Sequence, residues 1–114
     1  MRTSYFQHPD ITKNPHAISV ARYAPRWWGI GRRYISLAPS TGLLRDWKKG
    51  SIRTWNGYVL RYKNEVLQPL NAEKIYHDLH DKILCCWCVD QYICHRRLIA
   101  DWLKEKLGID IPEL

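Results

Sequence analysis

The sequence predicts an α/β fold: a short, mainly parallel sheet of about three strands, flanked by helices. Three observations lead there. Two apolar, β-branched stretches open the chain, several segments with helical periodicity follow, and a third apolar stretch precedes a last amphipathic segment. Strands separated by helical segments are joined by crossovers, which lay them parallel in one sheet. A length of 114 residues suits one domain with one core.

The elements follow in order. RTSYFQ, residues 2–7, reads as a strand that ends before His8-Pro9, and HPDITKNPHA is a turn-rich link with two prolines. AISVARY, residues 17–23, is a second strand, nearly continuous in apolar character, as a strand covered on both faces should be. The stretch from Ala24 to Pro39 carries Pro25, Gly29, Gly31 and Pro39 and reads as a long loop holding Arg26, Trp27, Trp28, Arg32 and Arg33. APSTGLLRDWKKG is a helix with Ser40 or Thr41 as N-cap and Gly50 just past its end.

Residues 51–70 form the clearest amphipathic helix. Ile52, Trp55, Val59, Tyr62 and Val66 recur at threes and fours, and Pro69 stops it. NAEKIYHDLHDK is a third helix, capped by Asn71, with Ile75 and Leu79 facing inward. KILCCWCVD, residues 82–90, is a buried strand. CHRRLIADWLKEKLG, residues 94–108, is a helix that buries Leu98, Ile99, Trp102, Leu103 and Leu107 and stops at Gly108. Trp47, Trp55 and Trp102 sit at helical spacing and are expected in the core.

Charge and aromatic content bear on function. Lys and Arg total 18 against 11 acidic residues, a formal +7 that favours anionic partners. Six Trp and seven Tyr stand beside one Phe, and both abundant types suit partly wet clefts as well as cores. No apolar run approaches the roughly 18 residues a membrane span needs. The first residues, MRTSYFQHPDITKN, lack the apolar centre of a signal peptide, so a cytoplasmic location with reduced thiols is expected.

Open parallel sheets hold ligands beyond the carboxyl ends of their strands. Two segments leave the sheet there: ARYAPRWW after the second strand and CVDQYICHRR after the third. If these strands are parallel, Arg22, Arg26 and Trp27 face the start of the last helix across a cleft. His95, Arg96 and the helix N-terminus would then cradle an anion, with an arginine gripping it and an indole stacking on a planar part.

Cys94 opens that helix, where partial positive charge and nearby cations favour a thiolate, so it is the candidate nucleophile if the protein is an enzyme. A plain helix cap with solvated arginines is the competing reading. Cys85, Cys86 and Cys88 lie along the predicted strand, with Cys86 and Cys88 on one face. They read as small hydrophobes at a tight interface, and a flat strand makes no zinc knuckle. No metal and no cofactor is therefore expected. His8, His16, His77 and His80 have no evident partner.

VARYAPRWWG, with its Arg-x-x-Pro-Arg pattern, LAPSTGLLRDWKKG, with Ala-Pro-Ser and then Leu-Arg-x-Trp, and CHRRLIADWL occur in this order between Ala17 and Gly108. Together they resemble the YeaO-like family of domains of unknown function, DUF488. The resemblance implies a small three-layer α/β domain over residues 1–114. It also implies a site between the Arg-x-x-Pro loop and the Cys-His-Arg helix, at Arg22, Pro25, Arg26, Cys94, His95 and Arg96. Where the family has an Asp beside the strand-end arginine, this chain has Val20 and Ala21, which speaks against acid–base chemistry there. The expected partner is an anionic, nucleotide-like small molecule. Two alternatives stand beside it: a nucleic-acid-binding accessory role through Arg26, Arg32, Arg33, Lys48, Lys49 and Arg53, and a small phage- or mobile-element-type inhibitor of an acidic protein.

Overall fold

The structure, a computed structural model, describes residues 1–29 and 31–114. Strand β1 spans Arg2–Tyr5, β2 spans Ala17–Ser19 and β3 spans Ile83–Cys86. They form one parallel sheet in the order β1-β3-β2. Thr3 pairs with Leu84 and Tyr5 with Cys86 on one side; Ile18 pairs with Leu84 and Ser19 with Cys85 on the other. The central strand is buried at all four positions, which explains why ILCC carries no polar alternation.

The strands are shorter than the sequence predicts, and the register gives the reason. β1 runs out at Tyr5 and β2 at Ser19, so nothing is left to pair with β3 beyond Cys86. The ladder ends with the Phe6 amide donating to the Cys86 carbonyl at 3.1 Å and the Val20 amide to that of Cys85 at 3.0 Å. Beyond Cys86 the chain leaves the sheet, so Cys88 lies outside the strand that was expected to run to residue 90.

Both sheet edges are covered by irregular backbone. The C-terminal tail bridges to β1 at Thr3 and Glu113, while Ser19 bridges to Arg33 on the β2 side. Such cover removes the exposed edge that invites pairing with another chain. Between β1 and β2 the chain makes successive turns around the fully buried Ile11, with the Ile11 amide donating to the His8 carbonyl and that of Asn14 to Ile11.

Helix α1 spans Thr41–Lys49. The Ser40 hydroxyl accepts from the Leu43 amide, and Gly50 closes it at φ 81°, a left-handed conformation that suits glycine. Helix α2, Trp55–Tyr62, is capped by Thr54 and runs on through a π turn at Lys63–Leu67. It therefore starts four residues later than the periodicity implies, because the Thr54 side chain takes the Gly57 amide and fixes the first turn. Helix α3, Ala72–Leu79, has the expected Asn71 cap, and α4, His95–Leu107, ends at Gly108 with φ 71°. α4 packs against β1 and β3, and α2 and α3 pack against α4. Leu98, Ile99, Trp102 and Leu103 bury its inner face, as predicted.

Candidate functional site

β2 and β3 are parallel neighbours, so the chain leaves both at the same edge of the sheet. There Ala21, Arg22 and Tyr23 follow β2, and Trp87 and Cys88 follow β3, whose last residue is Cys86. These two segments wall a cleft of about 590 Å³. Pro39 and the α1 residues Leu44, Trp47 and Lys48 close one side; Tyr58 of α2 and His95 at the start of α4 close another. The cleft thus occupies the position an open parallel sheet reserves for ligands.

Aromatic packing shapes the walls. Trp47 and Tyr58 meet edge to face at 5.3 Å, and Tyr58 stacks on Trp55 at 4.8 Å and on Tyr62 at 6.2 Å. Tyr62 in turn touches the His95 ring at 5.6 Å. The Trp87 indole donates to the Tyr23 carbonyl at 2.7 Å, which ties the two strand-end segments together, and its ring leans on Phe6 at 5.0 Å.

Arg22 sits at the rim. Its Nε donates to the Pro39 carbonyl at 3.0 Å, so it is partly the structural tie that a strand-end arginine often is. Its two terminal nitrogens make no bond within the described residues. Lys48 is exposed and also lines the cleft, so two cations border a largely apolar hollow.

His95 lies on the inner wall, 7% exposed, with Nε2 donating to the Val20 carbonyl at 2.8 Å. Burial lowers its pKa to about 4, with the Val20 bond acting the other way and the Arg96 charge adding to the fall. The ring is therefore neutral near pH 7. It is a hydrogen-bonding and lone-pair group there, not a cation for the cradle.

Arg96 departs furthest from expectation. It is 0% exposed, and all five of its N–H bonds are used inside the protein. Nε and Nη2 fork onto the Glu113 carboxylate at 3.1 and 2.7 Å. Nη1 reaches the Cys86 sulfur at 3.1 Å and the Cys88 carbonyl, and Nη2 also reaches the Val89 carbonyl at 3.1 Å. A saturated guanidinium has nothing left to offer an external anion. Arg96 instead clamps the loop after β3 onto α4 and the C-terminal tail. Arg97 does similar work, donating to the Ile111 carbonyl at 2.6 Å.

Arg26 and Trp27 are exposed and do not line the cleft. The turn that closes with the Trp28 amide donating to the Pro25 carbonyl buries one indole and leaves the other exposed, with the two rings still in contact at 5.5 Å. Trp28 goes inward against Phe6 at 4.9 Å, under the Arg32 guanidinium at 4.4 Å, and Trp27 goes out. Arg32 and Arg33 likewise turn onto backbone carbonyls, Arg32 onto those of Asn14 and Ala17 and Arg33 onto that of Arg22.

The thiols also differ from expectation. Cys94 is 2% exposed and does not line the cleft, and its side chain makes no capping bond. Its sulfur is in direct contact with that of Cys86, so it is not a lone nucleophile open to substrate. Cys88 is exposed and faces the cleft, but burial of its sulfur raises its pKa, only partly opposed by the Arg96 charge. Cys85 is buried in the sheet, and burial pushes its thiol up to about 12.

The sequence pointed to Arg22 and His95 at this edge and named Lys48 only for a nucleic-acid surface; Trp47, Tyr58 and Trp87 it did not assign to the cleft. Trp47 and Tyr58 carry ordinary core periodicity, and only the position of the cleft over α1 and α2 gives them a wet face. Trp87 lies in what looks like a strand interior.

Fold and cleft together define a small parallel α/β protein with an aromatic-walled, basic-rimmed hollow at the carboxyl edge of its sheet. The chain matches the family model described as "Active DUF488-N3 subclade" over residues 1–107, and it belongs to that DUF488 family. The match begins at Met1, so β1 and the turns after it fall within the family's domain. No curated protein and no solved structure matches it. Among the described residues no helix is long and apolar enough to cross a membrane.

Proposed function

We propose that the cleft binds an anionic small molecule with a planar, nucleotide-like part. Arg22 and Lys48 at the mouth take the anionic group, and Trp47, Tyr58 and Trp87 receive the planar part against their rings. The observation that carries this reading is the cleft itself: about 590 Å³ of largely apolar hollow with two cations at its rim. That volume lies inside the roughly 300–1,000 Å³ typical of small-ligand sites. Cys94, Arg26, Trp27 and Arg96 have no direct part in this arrangement, and His95 contributes a neutral inner wall.

Calorimetric titration with AMP, with inorganic phosphate and with adenosine tests the proposal. AMP should bind, phosphate and adenosine should each bind more weakly, and Lys48→Ala should weaken AMP without changing the melting temperature. Equal binding of AMP by wild type and Lys48→Ala, or none by either, would remove the reading. Affinity for unrelated DNA and RNA that falls steeply with salt would favour a nucleic-acid surface instead, built on Arg26, Lys48, Lys49 and Arg53.

A further inference from the structure

The sulfur atoms of Cys86, Cys88 and Cys94 all lie within 4.8 Å of one another. The fold brings them together in a way that a flat strand would not. Cys86 ends β3, the chain then turns out of the sheet through Trp87, and a 3₁₀ turn at Gln91–Ile93 returns it so that Cys94 stands at the head of α4. The Cα atoms of Cys86 and Cys94 stand 7.8 Å apart, beyond the roughly 4.4–6.8 Å that a relaxed disulfide spans. The backbone thus brings the two sulfurs into contact while holding the Cα atoms wider apart than a relaxed bridge does.

A fourth donor adjoins Cys94. His95 Nδ1 is 4.0 Å from the Cys94 sulfur. The opposite ring nitrogen, Nε2, faces the Val20 carbonyl at 2.8 Å, and a carbonyl can only accept. Nε2 therefore carries the proton, and Nδ1 keeps its lone pair, 4.0 Å from the Cys94 sulfur. A backbone carbonyl behind a histidine is the arrangement that orients imidazole ligands on metals.

We propose that Cys86, Cys88, Cys94 and His95 Nδ1 form a four-ligand site for a divalent metal ion of zinc type. Three sulfurs and one imidazole nitrogen are a standard tetrahedral zinc set. Zn²⁺ displaces a proton from each of the three thiols and binds the already neutral imidazole, so loading releases three protons and involves no change of oxidation state. Three thiolates and Zn²⁺ leave one net negative charge, and the Arg96 guanidinium donates to the Cys86 sulfur at 3.1 Å, where it offsets that charge. The four ligands close the site, so the metal is structural and ties the end of β3 to the start of α4 beneath the cleft. The site stands independently of the ligand read into the cleft, because none of its donors is among the groups assigned to grip that ligand.

The test uses the full chain, reduced, stripped with a chelator, mixed with zinc chloride and desalted. One zinc per chain should remain by elemental analysis, with iodoacetamide labelling of Cys88 blocked until a chelator is added. Cobalt(II) in place of zinc should give the intense visible absorption of tetrahedral thiolate coordination. Cys88→Ser, a change at an exposed position, should weaken zinc binding at least about 10–100-fold. Cys85→Ala, at a thiol outside the cluster, should leave zinc content unchanged. The proposal fails if the reduced chain keeps no zinc, if Cys88→Ser keeps it as tightly as the parent, or if zinc leaves Cys88 open to labelling. It fails equally if metal-free chain isolated without oxidant carries Cys86 and Cys94 joined covalently.

Discussion

Removing the Glu113 carboxylate should be among the most damaging single changes in the C-terminal tail, although Glu113 is the penultimate residue of the sequence. Glu113→Ala leaves Arg96, which is 0% exposed, as a buried cation with two of its five bonds lost. Breaking a buried ion pair from one side destabilises by about 3–5 kcal/mol, and the surviving bonds to Cys86, Cys88 and Val89 favour the lower figure. A chain of 114 residues has an unfolding entropy of about 240 cal/mol/K, so the melting temperature should fall by roughly 12–20 °C. Calorimetry on the parent and the variant measures this directly. The pair of changes Arg96→Met and Glu113→Leu, which removes both charges, should recover only part of the loss, because the Cys88 and Val89 carbonyls then lose their donor. A shift of only a few degrees in Glu113→Ala would refute the reasoning, because it would mean that the tail does not neutralise Arg96.

The same contact fixes a pH dependence. Burial alone would raise the Glu113 pKa, but the bonds from Arg96 and Thr3 and the Arg96 charge outweigh it and hold the carboxyl below its ordinary 4.5. Between the two values the unfolded chain binds more protons than the folded one. The stabilisation is complete above about pH 4.5 and is lost as the pH falls through the folded value, so Glu113→Gln should flatten the acid limb of a stability profile. Ser4 Oγ is buried without a partner among the described residues, so Ser4→Ala should leave stability unchanged or raise it by up to about 1 kcal/mol in urea unfolding. Gly108→Ala places a Cβ at φ 71° and should lose about 1–2 kcal/mol by the same assay. In reduced, metal-free chain, iodoacetamide should label Cys88 ahead of Cys85, Cys86 and Cys94, because it is the exposed thiol; first labelling at Cys94 would restore the helix-head nucleophile.

The layout of the fold is legible in the sequence where local signals agree. Ser40, Asn71, Gly50, Pro69 and Gly108 mark helix ends by their own chemistry, and the apolar run at 83–86 marks the central strand. The position of the cleft follows from parallel topology alone, which is why Arg22 and His95 are identifiable in advance. Long-range pairing hides the rest. Arg96 looks like a helix-start cation until Glu113, seventeen residues on, folds back along β1 to meet it. Trp27 and Trp28 are equivalent in the sequence, and only the turn between Pro25 and Trp28 decides which indole goes inside. The thiols read as a strand because the length of β3 is set by its neighbours β1 and β2, not by its own composition.

Whether the segments after β2 and β3 wall one ligand site is tested directly by the indole N–H signals of the six tryptophans. On addition of AMP, the Trp87 signal, whose proton is held by the Tyr23 carbonyl across the cleft, should move in a saturable way while that of Trp27 stays in place. Movement at Trp27 with Trp87 unchanged, or no movement at any of the six, would contradict one shared site.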